Sequence, residues 1–338
     1  LRESSDHLDL PGGAGMKAVI PAAGIGTRLR PHTLNKPKAL LPVAGKPILA
    51  HIIDDLAAAG IDGFVLVVGY HGQAVRDWFA RERPHLAISF VEQTQRLGLG
   101  HAIWTAREAV GSEPFFCILG DTILKADYAA ILASPRSLIA VREVEDARRF
   151  GVVEMEGDKV VRFVEKPDVP PSNLAIVGAY LFRDPGALWA SLDRVVTEDI
   201  RTKGEYQLTD ALQFMVEAGV AFNIAQVTDW YDCGKQDTWL ETNRILLDRK
   251  GPGGKDPQVI EPCHIAPDAV LKGSRIGPYV SVGSGTLVEN CVLSDCVIGD
   301  GSRLQDCRLD RSLIGNECIL HKAAGIVNVG DFCEMRGT

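Results

Sequence analysis

From Met16 to about Lys250, short apolar runs alternate with segments whose apolar residues recur every three or four positions. Lys17-Ala18-Val19-Ile20, Phe64–Val68 and Phe115–Leu119 are continuous apolar stretches, the pattern of parallel strands buried on both faces. Between them Ile48, Leu49, Ile52, Ile53 and Leu56 recur at helical spacing, with Pro47 suited to a first turn and Gly60 to a C-terminal cap. The pattern predicts an α/β domain over residues 16–250 with a doubly wound parallel sheet, whose ligands sit beyond the carboxyl ends of the strands. Val152–Met155 and Val160–Phe163, separated by Glu156-Gly157-Asp158, predict an antiparallel hairpin inserted on that core.

Past Gly251-Pro252-Gly253-Gly254, in a linker placed at 251–258, the period changes. Ile265, Val282, Ile298, Ile314 and Val329 each precede Ala or Gly at intervals of about 16 residues. Further apolar positions fall five or six residues apart: Leu271, Ile276, Val288, Leu293, Leu304, Leu309 and Leu320. Three near-hexapeptide steps per unit predict a triangular parallel β-helix over 259–338, one step per face and apolar side chains inside. Ala269, Thr286, Ser302, Cys318 and Cys333 recur in register, so the cysteines of this half read as compact ladder residues rather than metal ligands.

Composition narrows the function. The net charge of -8 disfavours a nucleic-acid partner, so a bound polyphosphate must be held by local cations and metal. No apolar run approaches the length of a membrane span. Residues 1–15 are polar and glycine-rich, a tail without the regions of a signal peptide. The eight cysteines form no Cys-x-x-Cys pair, and the expectation is reduced thiols in the cytoplasm.

The chemistry concentrates after the first strand, where Ala22-Ala23-Gly24-Ile25-Gly26-Thr27-Arg28 leads to Lys36-Pro37-Lys38. Exposed amides in a glycine turn form an anion-binding concavity, and Arg28 and Lys38 supply positive charge. Leu29 stands where a dinucleotide-binding turn would want its third glycine, and no Gly-Lys-Ser/Thr follows, so neither common phosphate loop is present. Asp121, after Ile118-Leu119-Gly120, stands at a strand's carboxyl end and suits Mg²⁺, with a turn residue as the alternative. Asp232, in Trp230-Tyr231-Asp232-Cys233-Gly234, is a second acidic candidate that also reads as a helix cap. Gln93 and Gly98 offer an amide and a bare backbone to a planar ring, or form a polar loop. Glu165 and Lys166 suit sugar hydroxyls and a phosphate, or a solvated pair; His101 is read as structural.

Together these segments resemble the sugar-phosphate nucleotidyltransferases, most closely the long-form glucose-1-phosphate thymidylyl- and uridylyltransferases. The likeness spans Met16 to about Lys250 and the C-terminal repeats. It implies a Rossmann-like nucleotidyltransferase domain followed by a left-handed parallel β-helix of hexapeptide repeats. It places Ala22, Ala23, Gly24, Gly26 and Thr27 around a nucleoside triphosphate, with Arg28 on its β- and γ-phosphates and Lys38 near the α-phosphate. Gln93 and Gly98 would recognise a pyrimidine. Gly151, Glu165, Val177 and Gly178 would line the sugar, Lys166 its phosphate, and Asp121 and Asp232 would ligate Mg²⁺. Cys233 departs from the Thr common in thymidylyltransferases.

The implied reaction joins a sugar-1-phosphate to a nucleotidyl group from dTTP or UTP and releases pyrophosphate, carried out with Mg²⁺ by a homo-oligomeric enzyme of the cytoplasm. Two alternatives stay open: a non-catalytic regulatory protein of the same architecture, and an acyltransferase activity in the β-helix, where His321 is solitary.

Overall fold

A computed structural model describes residues 15–250 and 258–337; most of the expected N-terminal tail, the linker up to residue 257 and Thr338 lie outside the described residues. The first domain begins with β1 (Lys17–Pro21), a small ribbon β2 (Pro42–Val43) and β3 (Lys46–Pro47), and α1 (Ile48–Ala58). There follow β4 (Gly63–Val68), α2 (Gly72–Glu82), β5 (Ala87–Glu92), α3 (Leu99–Thr105), α4 (Arg107–Val110) and β6 (Phe115–Ile118). Next come β7 (Thr122–Lys125), α5 (Tyr128–Leu132), β8 (Ser137–Glu143), the hairpin β9 (Gly151–Glu156) and β10 (Lys159–Glu165), and β11 (Leu174–Phe182). The domain closes with α6 (Pro185–Thr197), α7 (Leu208–Glu217), β12 (Phe222–Gln226), β13 (Asp229–Asp232) and α8 (Gln236–Lys250).

The apolar strands are buried on both faces, which is why their runs are continuous. Ala18, Ile20, Phe64, Leu66, Phe116 and Ile118 point into a core shared with α1, α2 and α8. Val19, Val65, Val67, Phe115 and Cys117 point into a second core covered by α3, α6 and α7. The main sheet runs β10-β9-β11-β6-β1-β4-β5, with β8 and β12 attached beside β11. Only β6-β1-β4-β5 and the β8–β12 pair are parallel. The expected parallel core is thus present, and it widens into a mixed sheet because β11 runs antiparallel to both β6 and β8. The hairpin joins it at the edge through β9 and β11.

After residue 258 the described strands stack in parallel ladders. Leu271, Val288, Leu304 and Leu320 lie in one register. Ile276, Leu293 and Leu309 form a second, and Ile265, Val282, Ile298, Ile314 and Val329 a third. All three sets point into one apolar core together with Cys291, Cys296, Cys307 and Cys318, so these parallel sheets fit a β-helix. Gly283 and Gly299 are small for a reason: a Cβ there would lie 2.8 Å from Asp300 N and 2.6 Å from Gly315 C of the next coil.

The two domains meet along α8. Asn243, fully buried, accepts from Ala44 N at 2.9 Å and from Ser281 Oγ at 2.8 Å, and its Nδ2 donates to Tyr279 O at 3.3 Å. Arg244 Nε donates to Asp295 Oδ1 at 2.7 Å beside it. No helix among the described residues is long and apolar enough to cross a membrane.

Candidate active site

Converging strand ends set the site. Ala22 N donates to Val67 O at 2.8 Å, and Gly120 N donates to Pro21 O at 2.9 Å. A Cβ on Gly120 would lie 3.0 Å from Ala22 Cβ, and one on Gly69 would lie 3.0 Å from Ala23 Cβ. Ala22 and Ala23 thus lie against two neighbouring strand exits, and their methyl groups leave no room for a side chain at Gly120 or Gly69. Beyond them the chain turns at Gly26, whose φ of 69° favours glycine, and Thr33 Oγ1 donates to Gly26 O at 2.8 Å.

The turn faces a cleft of about 500 Å³. Ala22, Ala23, Gly24, Gly26 and Thr27 line it, opposite Gln93 and Gly98, together with Lys38 and Asp121. The nucleotide-side residues expected from the sequence are therefore brought to one cavity. Arg28 is not among its lining residues; it is exposed at the short helix Thr27–Leu29 and makes no ion pair among the described residues.

Lys38 is the charged centre. It is 7% exposed, and its Nζ lies 2.5 Å from Asp121 Oδ2 and 3.4 Å from Asp232 Oδ1. Burial alone would lower its pKa, but the two carboxylates outweigh burial and hold the ammonium above the ordinary lysine value. The two acids meet because β7 and β13 pair antiparallel with Asp232 opposite Thr122, one residue beyond Asp121. Behind Asp232, burial pushes the Cys233 thiol up to about 12, so it stays protonated and inert.

Gln93 is buried and partly committed within the protein. Its Nε2 donates to Gly98 O at 3.1 Å and lies 3.1 Å from His101 Nδ1. His101 is accordingly an orienting partner, as its structural reading implies. Gly98 has φ 115°, and a Cβ on it would fall 2.5 Å from Tyr206 O. The glycine is demanded by this close backbone approach, a reason additional to room for a ring.

The sugar-side residues form a separate group. Gly151 stands opposite Glu165 in the hairpin. A side chain there would crowd Glu165 Oε2 at 3.1 Å. Glu165 accepts from Thr209 Oγ1 at 2.5 Å and pairs with Lys166 Nζ at 3.0 Å. Lys166 keeps half its side chain in solvent. The Val177 side chain is in the core, so only its main chain can face a ligand. Gly178 O accepts from Leu119 N at 3.0 Å, tying this group to the turn that carries Asp121.

A nucleotidyl transferase family model matches residues 17–249. The chain belongs to that family. As a nucleotidyl transferase it is 33% identical to the low-salt glycan biosynthesis nucleotidyltransferase Agl11 of Haloferax volcanii, over 94% of this chain and 95% of that protein. It is 30% identical to a glucose-1-phosphate thymidylyltransferase of Streptomyces griseus, over 89% of this chain and 92% of that one. Among solved structures, a UDP-glucose pyrophosphorylase complexed with UDP-glucose superposes with a TM-score of 0.60 and 29% identity, covering 69% of this chain and 99% of that one.

Further residues, which no local pattern marks, complete the geometry. Thr209 fixes Glu165, and the Glu205-Tyr206-Gln207 segment closes over Gly98, with Gly100 N donating to Tyr206 O at 2.8 Å. Asp210 is half-buried; burial and the nearby Glu165 raise its pKa against the lowering effect of Thr202, and its Oδ2 has no hydrogen-bond partner among the described residues. Asp232 lines a neighbouring cleft of about 310 Å³ into which Arg142, Arg149 and Lys235 bring positive charge. These groups stand more than a hundred residues from Gly24 or Gly98 in several cases, and no local pattern marks them.

Proposed function

We propose that the protein transfers a nucleotidyl group from dTTP or UTP to a sugar-1-phosphate, glucose-1-phosphate being the first candidate, giving a nucleotide-sugar and pyrophosphate. The observation that carries this reading is a buried lysine shared by two carboxylates at the edge of a cleft whose other wall is a glycine turn. The thymidylyltransferase and UDP-glucose pyrophosphorylase names of the similar proteins support the substrate class.

The nucleophile is a phosphate oxygen of the sugar-1-phosphate, ionised at neutral pH, so no general base is required. The obstacle is bringing two polyanions together. Positioning is worth about 7–11 kcal/mol in favourable cases. A preorganised donor adds about 3 kcal/mol. The amides of Gly24–Thr27 face the triphosphate. Lys38 neutralises charge at the α-phosphate by exchanging part of its pairing with Asp121 and Asp232. Arg28 reaches the leaving phosphates from the mouth of the cleft, and Lys166 holds the incoming phosphate while Glu165 accepts from sugar hydroxyls. Asp121 and Asp232 fit Mg²⁺, which takes one or two carboxylates plus phosphate oxygens. Bound there, the ion would neutralise charge on the triphosphate.

The C-terminal ladders are proposed to be a left-handed β-helix that packs subunits into a homo-oligomer, in a cytoplasmic enzyme. Light scattering that reports a monomer at working concentration removes that part. For the reaction, pyrophosphate release is measured with dTTP, UTP, CTP, ATP and GTP against several sugar-1-phosphates, with and without Mg²⁺. Fastest release with dTTP or UTP is expected; release with no pair, or without Mg²⁺ dependence, overturns the assignment. The two pyrimidines differ by one methyl, worth about 1–3 kcal/mol in a pocket, so use of both is expected.

A further inference from the structure

The stretch between Arg28 and Lys38 contains no strand, and residues 30–37 are held from both domains, with Trp239 edge-on to His32 at 5.0 Å and Gln236 Nε2 donating to Arg30 O at 3.4 Å on their own side. On the inner side Thr33 ties it to Gly26 O, and His71 Nε2 lies 3.0 Å from Leu34 O. On the outer side the grip comes from residues almost three hundred positions away, in the last described coil of the C-terminal domain. His32 is buried, and its Nε2 donates to Asn328 Oδ1 at 2.6 Å. Lys36 Nζ pairs with Asp331 Oδ1 at 3.0 Å, both side chains mostly shielded. That carboxylate is itself fixed by Asn316 N, which donates to Asp331 Oδ1 at 2.8 Å. Between the two polar links, Gly330 packs so closely on the loop that a Cβ would lie 3.0 Å from Pro31 Cβ and 3.1 Å from Pro31 O.

The domains also meet at a separate joint, where α8 supplies Asn243–Ser281 and Arg244–Asp295. What the coil at 328–331 adds is a hold on the loop that presents Arg28 and Lys38. It also consumes the charge of Lys36, only two residues from Lys38. We propose that Asn328, Gly330 and Asp331 are positioning residues, a clamp by which the C-terminal domain sets the phosphate-binding loop. Triphosphate binding then depends on the second domain, whereas the sugar-side group around Glu165, Gly151 and Thr209 does not. The inference rests on the transfer reaction proposed above for its kinetic part only.

The test uses the full chain and the variants Asn328→Ala, Asp331→Lys, and Asp331→Lys combined with Lys36→Asp. With UTP or dTTP and glucose-1-phosphate, the single variants should raise KM for the triphosphate about 10-fold or more, since small misplacements of binding groups have effects of that order. KM for glucose-1-phosphate should stay within about 2-fold, and the charge-reversed pair should recover most of the loss. Ser281→Ala, at the other joint, should lower the thermal midpoint without splitting the two KM values. Backbone amide exchange over residues 30–38 should accelerate in Asp331→Lys by about 10-fold while β1 and β4 stay protected. Wild-type KM values together with unchanged exchange overturn the clamp, as does an equal shift of both KM values matched by Ser281→Ala. If the wild-type chain releases no pyrophosphate with any substrate pair, the proposed reaction fails, and the exchange comparison still decides the clamp.

Discussion

Both domains rest on parallel strands, yet they use their buried polar side chains in opposite ways. In the C-terminal coils, Thr286 Oγ1 donates to Gly299 O at 2.8 Å and Ser302 Oγ donates to Gly315 O at 2.9 Å. Each hydroxyl satisfies backbone within the stack, and the same pattern returns one coil later. In the α/β domain, Lys38 and Gln93 are also buried, but they line one cleft with Asp121, Lys38 pairing with that carboxylate and Gln93 holding the loop at Gly98 rather than a repeat. The contrast separates polar groups that finish a scaffold from polar groups gathered for a ligand. The first kind should be felt in stability, the second in turnover.

Leu304→Ala tests the scaffold side and carries the largest expected effect. Leu304 is fully buried in the coil core, so its truncation should cost about 2–5 kcal/mol in denaturant unfolding, with specific activity of the folded fraction unchanged. A large loss of kcat with unaltered stability would erase the distinction. Asp121→Asn tests the other side: turnover should fall by about 10²–10³, or roughly 2.7–4 kcal/mol of transition-state stabilisation. Its unfolding midpoint should move less than that of Leu304→Ala, because Asp232 still pairs with Lys38. Thr286→Val leaves Gly299 O without its donor and should cost about 1–3 kcal/mol of stability, kcat and both KM values holding at the wild-type level.

The smallest effect is on pH dependence and belongs to the α/β domain. Burial lowers the pKa of both His32 and His101 below the ordinary 6.5. As pH falls through 6.5 toward the folded values, the unfolded chain takes up protons that the folded chain refuses, so stability is full above 6.5 and declines below it. His32→Gln with His101→Gln should flatten that slope in thermal melts between pH 7.5 and 5.5, a window chosen to span roughly one pH unit on either side of the histidine range. An unchanged slope would place the titrating groups elsewhere.

Some of this was legible along the chain. The registers Val282–Ile298–Ile314 and Val288–Leu304–Leu320 follow from spacing alone, since each coil repeats the same inward positions. The continuous runs at Phe64–Val68 and Phe115–Ile118 announced strands covered on both faces. The mixed order of the sheet was not legible, because nothing local in Leu174–Phe182 records that it runs against β6. Nor was the partnership of Thr209 with Glu165, or the closure of Tyr206 over Gly98.

By itself the sequence determined the two periodicities, the glycine turn after β1 and the residue types that could meet phosphate. Those properties depend on neighbours a few positions away, through strand alternation, helical spacing or the backbone freedom of glycine. Only the tertiary structure decided which of these residues meet. Lys38, Asp121 and Asp232 become one charged unit because β7 pairs with β13 and both lie against the loop after β1. Their loop is gripped by Asn328 and Asp331 because the coil stack folds back along α8. Such meetings are set by strand order and domain docking, which are properties of the whole packed chain.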